Sequence, residues 1–200
     1  GAQQVVDNWK PKIDIDPEWK KVKLADVGKV CMCKRIFQHQ TKDSGDIPFY
    51  KIGTFGKTAD AFIEKDLFEE YKSKYSYPNK GSILISTSGT IGRTVVFDGR
   101  PAYFQDSNIV WIDNNERLVL NEYLYYVFQT IKWITTKGGT IERLYNKLIE
   151  NTVISVPPID IQEKIVEKIK SERILIESSR KLIGIYSLKI KEVISNLWEK

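Results

Sequence analysis

From Ile161 to Lys200 the chain contains no proline and one glycine, and Glu and Lys are scattered densely among Ile, Leu and Val. Such a stretch has one regular conformation open to it, a long α-helix, because nothing in it breaks the backbone hydrogen-bond ladder. At 1.5 Å per residue, some forty residues make a rod of roughly 60 Å, longer than a body of about 160 residues can cover. Asp160 and Glu163 read as a capping box, entered through Pro157 and Pro158. Ile169, Ile176, Ile183, Ile190 and Leu197 recur every seven residues, and Leu175, Leu182, Val193 and Ile194 widen the stripe. Two readings are open: a helix laid lengthwise on its own domain, or one edge of a coiled coil. Sustained seven-residue spacing favours the coiled coil. Gly184 and the pair Ser178 and Ser179 weaken the helix by up to about 1 kcal/mol each against alanine, and mark a close approach or a bend.

Ahead of the rod the pattern is of another kind. Residues 1–21 carry two prolines and no sustained period, which reads as a lead-in or linker. Short β-rich runs follow at 47–52, 82–87, 94–97, 108–112 and 152–156, separated by clusters of Gly, Pro, Asn and Asp. Helical spacing appears at Leu124, Val127, Phe128 and Ile131 after an Asn121 cap, and at Ile141, Leu144, Tyr145 and Leu148 after Thr140. The expected class is α+β: a mixed-sheet domain over 22–156, followed by a single long C-terminal helix over 157–200.

Composition narrows the function. The formal charge of +5 and pI near 9.0 favour a polyanionic partner, although 26 acidic residues offset 31 basic ones. Cys31 and Cys33 are too close for an ordinary disulfide and lack the second ligand pair of a structural zinc site. They read as small side chains near an early strand of a reduced, cytoplasmic protein, with no metal expected. No apolar run approaches the roughly 18 residues of a membrane span, and no secretory leader opens the chain. The first residue is glycine, as in a piece of something longer.

The turn in SILISTSGTIGRTVVFDG, Ser82–Gly99, joins two apolar runs through glycines and hydroxyls. It is not a P-loop, since Arg93 stands where Lys and Ser or Thr are needed. It is not a nucleophile elbow, since Ser86 and Thr90 occupy the glycine positions around Ser88 and His39 is the only histidine. No carboxylate pair is spaced for metal-dependent nuclease work, and no glycine fingerprint for a dinucleotide follows the first strand. Catalysis is not expected, nor is a cofactor. A hairpin with Gly89 and Gly92 at positive φ accounts for the turn itself. Beside it, Arg93, Lys57 in IGTFGKT (52–58), and Lys137, Arg143 and Lys147 in TTKGGTIERLYNK (135–147) offer phosphate or base-edge contacts. Singly, each reads as a solvated surface residue; together they read as a DNA surface.

These segments, WKKVKLADVGKV (19–30), GDIPFYKI (45–52), GSILISTSGTIGRTVVF (81–97), RPAYFQDSNIVWI (100–112), GGTIERLYNKLI (138–149) and VPPIDIQEKIVEKI (156–169), stand in the order of a known family. The chain resembles the DNA specificity subunits of type I restriction-modification systems, as one target recognition domain and its spacer helix. The most specific segments are Ser88 to Arg93 and the helix entry at Gln162, Ile165 and Val166. One departure is Ile161, where the family commonly has an acidic residue. The resemblance implies a non-catalytic module that reads half of a bipartite double-stranded DNA site and docks methyltransferase (M) and restriction (R) subunits. Ser88, Thr90 and Arg93 are then candidates for DNA contact and equally for scaffold. The family pairs two such units, so the stripe implies a homodimer, a missing half, or a methyltransferase contact. The alternatives are the C-terminal recognition domain of a fused DNA methyltransferase or restriction-modification enzyme, and a coiled-coil adaptor that binds only protein.

Overall fold

In a computed structural model the described residues are 2–135 and 143–198, with side chains described for 3–135 and 143–195. Lys137, Thr140 and Ile141, and the side chain of Leu197, lie outside them.

The centre is an antiparallel sheet in the order β2 (Gly28–Cys31), β9 (Ile109–Asn114), β6 (Ile83–Ser86) and β7 (Thr94–Val96). β6 is buried along its whole length and β9 over its first four residues, so both read as continuous apolar runs. Their side chains alternate between two cores. Val30, Ile83, Ile85, Val110 and Ile112 enter the first; Cys31, Leu84, Ile109 and Trp111 enter the second. Each large apolar side chain buried this way contributes about 1.5–3 kcal/mol. Gly28 permits the β2–β9 pairing, since a Cβ there would lie 2.1 Å from the Asp113 carbonyl oxygen.

The first core is closed by α4 (Asn121–Thr130), α5 (Asn146–Asn151), the antiparallel pair β1 (Lys20–Lys23) and β10 (Val153–Val156), and the start of α6 (Ile159–Trp198). The second lies under a sheet ordered β3 (Thr41–Lys42), β5 (Phe62–Ile63), β4 (Ile47–Tyr50) and β8 (Tyr103–Phe104), in which β4 and β8 are parallel. Phe68 of α3 (Lys65–Lys74) completes it. The one-turn α2 (Leu24–Val27) links β1 to β2. The five expected strand runs are all present, and the mixed α and β body with its long final helix is as expected.

Differences concern ends and short elements. Residues 2–8 form helix α1 (Ala2–Asn8) with Val6 buried, where a structureless lead-in was expected. Arg180 of α6 donates to the Val6 carbonyl at 3.0 Å and stands 3.9 Å from Asp7, and Trp9 and Ile13 pack on the first core. Seven residues are too few to show a period, and a helix so short persists only through tertiary contact. Asp160 does not cap α6. The amides of Ile161 and Gln162 donate to the Pro158 carbonyl, leaving Asp160 inside the first turn, where its charge complements the helix N-terminus. Asn121 is likewise the first residue of α4, behind the cap position Leu120.

Both cysteines are free and buried in the second core. Burial pushes the Cys33 thiol up to about 12 and raises that of Cys31 as well. At pH 8 only roughly one Cys33 in 10⁴ is then a thiolate. A colorimetric thiol reagent at pH 8 is expected to leave Cys33 unmodified in the native protein over minutes and to titrate both cysteines in denaturant.

Candidate nucleic-acid interface

The turn between β6 and β7 is held from inside. The amide of Gly92 donates to the Ser86 carbonyl at 2.9 Å, and the amide of Arg93 to the Ser86 hydroxyl at 3.0 Å. That hydroxyl in turn donates to the Thr90 carbonyl. Gly89 and Gly92 take φ of 62° and 78°, the left-handed conformation expected of them. Gly92 is also packed against Trp133: a Cβ there would be 2.4 Å from the indole Cδ1.

Three other segments are fastened to the turn. Arg93 Nη1 donates to the Phe55 carbonyl at 3.0 Å, tying the loop that carries Lys57. That loop is also held by the Ile52 amide donating to Gln105 Oε1 at 2.9 Å. The 105–108 segment meets the turn directly, because Thr87 donates from its amide to the Asn108 carbonyl at 2.9 Å and from its hydroxyl to the Ser107 carbonyl at 2.7 Å. Asn108 Oδ1 then accepts from Ser88 Oγ at 2.9 Å and from Arg143 Nη2 at 2.7 Å. The Leu144 amide donates to the Thr87 carbonyl at 2.8 Å, which anchors the segment running into α5 and Lys147.

The sequence candidates therefore divide. Ser88, Arg93 and Arg143 hold the loops together. Thr90, Lys57 and Lys147 are exposed, and Lys57 makes only a 3.4 Å contact to the Gly53 carbonyl. Two acidic groups nearby are paired, Asp106 with Arg35 at 2.9 Å and Asp60 with Lys51 at 2.9 Å. Among the described residues no group of three or more His, Cys, Asp or Glu is placed to hold a metal ion. The central member of the network, Asn108, is not among the candidates read from sequence. Its one signal is position, a polar residue immediately before an apolar strand and after Ser107, whose φ is 59°.

The rod divides along its length. Ile169 is buried in the first core rather than facing outward, together with Val166. Ile176 and Ile183 are half-buried, on the part of α6 whose Arg180 binds α1. Leu182 beside them, and Tyr186, Ile190 and Val193 beyond them, are exposed. The spacing from Ile176 through Ser179, Ile183, Tyr186 and Ile190 to Val193 alternates three and four residues, the pattern of a coiled-coil edge. The heptad isoleucines are thus legible in sequence, whereas Ser179 and Tyr186 between them are not.

Residues 17–185 match the family described as type I restriction modification DNA specificity domain, and the chain belongs to that family. It is 62% identical over 154 residues to a putative type I restriction enzyme specificity subunit, S.HindORF215P of Haemophilus influenzae, covering 77% of this chain and 40% of that protein. Among solved structures it resembles the HsdS subunit from Thermoanaerobacter tengcongensis, with a TM-score of 0.59 and 18% identity over 90% of this chain and 44% of that one. A chain from a study of complex assembly and conformational transition of the type I R-M system gives a TM-score of 0.64 at 18% identity, over 96% of this chain and 48% of that one. The chain thus spans less than half the length of these relatives. The family is a specificity component, not a catalytic one, and no helix among the described residues is long and apolar enough to cross a membrane.

Proposed function

We propose that this chain reads one half of a bipartite, interrupted duplex DNA site for a type I restriction-modification complex in the cytoplasm, whose methyltransferase and restriction subunits supply the chemistry. The observation that carries this reading is the one turn braced by Ser88, Asn108, Arg93 and Arg143, with exposed Thr90 in it, exposed Lys57 on the loop that Arg93 ties down, and the segment leading to exposed Lys147 bonded to it at Leu144. Exposed cations on a rigid rim give phosphate contacts that set register, and the turn's close-approaching backbone gives base contacts. The rod sets the distance to the other half-site. Its outer edge, Ile183, Tyr186, Ile190, Val193 and Leu197, is completed by a second copy, which makes a two-fold assembly reading a palindromic site.

A second reading has its own support. Helix α1 already lies on the middle of the rod through Arg180 and Val6, and the chain matches less than half the length of its relatives. In that case the other half of a longer chain supplies the facing helix.

Fluorescence anisotropy with a mixed-sequence 30-base-pair duplex tests the DNA reading. Binding is expected to weaken steeply between 50 and 200 mM salt, with a subset of sequences enriched at the higher salt. Absence of any binding, with the methyltransferase subunit present, overturns it. Ile183→Glu with Ile190→Glu is expected to abolish self-association in sedimentation while leaving the circular dichroism of the head unchanged.

A further inference from the structure

From the exposure and rooting of one short turn, we infer that Phe37–Gln40 is a second DNA-contacting element, with Phe37 as an aromatic wedge set against the duplex. This rests on the DNA reading above and adds an element outside the braced rim.

Of the eight phenylalanines in the chain, Phe37 is the one left open, 53% exposed, while Phe49, Phe55, Phe68, Phe97, Phe104 and Phe128 are buried. Its ring is stacked with that of His39, the only histidine, at 5.9 Å between centroids and 8° between planes. The pair is presented rigidly. The Phe37 amide donates to Gln40 Oε1 at 2.9 Å, the Gln40 amide returns a bond to the Phe37 carbonyl at 2.9 Å, and Thr41 Oγ1 donates to the Gln38 carbonyl at 2.7 Å. An aromatic side chain held in this way loses little conformational freedom when it meets a partner.

Placement and charge select the partner. Arg35 pairs with Asp106 at 2.9 Å, and the Ser107 hydroxyl lies 3.8 Å from Met32 Sδ, so the loop is fastened to the segment whose Asn108 holds Ser88 and Arg143. Residues 27–42 contain Lys29, Lys34, Arg35, His39 and Lys42 and no acidic residue. Two acids from outside the segment meet it, Asp106 paired with Arg35 and Glu64 paired with Lys42, and the exposed Lys29 and Lys34 stand outside these ion pairs. An apolar ring in a segment whose charged side chains are all lysine or arginine matches a polyanion with an apolar interior, which is the cross-section of a DNA groove. The ring lies against sugars and base edges, or wedges at a base step, while the flanking cations take phosphates.

The test places the photo-crosslinking residue p-benzoylphenylalanine at position 37 and, as a control, at Val153, which is 54% exposed on β10. The full chain is irradiated with the duplex and the methyltransferase subunit. Crosslinks to DNA are expected from position 37 and not from 153. In parallel, Phe37→Ala is expected to weaken duplex binding about tenfold with its salt slope unchanged, because an apolar contact releases no counterions, whereas Lys57→Ala lowers the slope. Wild-type affinity in Phe37→Ala, or crosslinks from 37 only to the methyltransferase subunit, overturns the inference and leaves the DNA reading standing. A wild-type chain that binds no duplex removes both.

Discussion

Gln162→Leu is expected to lower the melting temperature by roughly 10 °C, or about 3–5 kcal/mol, although leucine fills nearly the same volume. The glutamine is 0% exposed. Its Nε2 donates to the carbonyls of Leu118 and Pro157, each at 2.9 Å, and its Oε1 accepts the Leu120 amide at 2.8 Å. Three backbone groups on two connecting segments thus find their partners in one side chain. Leucine leaves all three buried and unpaired, at about 1 kcal/mol or more each. The damage falls on the joint between head and rod, since the same residue lies in the first turn of α6 and beside the cap of α4. Thermal melts followed by circular dichroism measure it. A shift of less than about 2 °C would show that water or a rearranged loop replaces the amide.

Gly92→Ala is expected to cost about 2–3 kcal/mol and to weaken duplex binding at least tenfold. At φ 78° an alanine is disfavoured by about 1–2 kcal/mol whatever the space around it. Its Cβ also needs the volume of the Trp133 indole, which is packed against Phe128 at 5.4 Å between centroids. Displacing the indole moves a turn bonded to three other loops, so the loss reaches the whole rim. Adding Trp133→Ala to Gly92→Ala restores the space but not the dihedral. A double-mutant cycle is therefore expected to give a favourable coupling on stability, with binding recovered only in part. Additive effects would mean that the indole does not support the turn.

These two residues show where the sequence is legible. Strands β6 and β9 and the rod declare themselves through long apolar runs or a sustained repeat, both of which survive without knowledge of neighbours. Strands β3, β5 and β8 span two residues each, too short for any period, and exist because β4 and the second core collect them. Helix α3 shows a single buried side chain, Phe68, and so leaves no stripe to read. At the site, glycine and hydroxyl spacing identifies the turn but not the work of each side chain. Arg93 and Arg143 look like phosphate ligands until Phe55 and Asn108 come beside them, and both partners are supplied by segments distant in sequence. Ile169 fits the heptad as well as Ile176 does, yet the head covers it, because the stripe runs unbroken from domain core to rod.

The account stands on the exposed cations of the braced rim being the DNA surface. Lys57→Ala combined with Lys147→Ala leaves every bond of the Ser88–Asn108–Arg143 network in place, and each lysine removed is expected to lower the slope of log affinity against log salt by about 0.9. A matched variant, Lys164→Ala with Lys168→Ala on the first turns of α6, is expected to keep the wild-type slope. Salt titrations of the three proteins on one duplex decide it. A slope reduced by about two units in the rim variant alone is the predicted result, and equal slopes for rim variant and wild type would contradict the account.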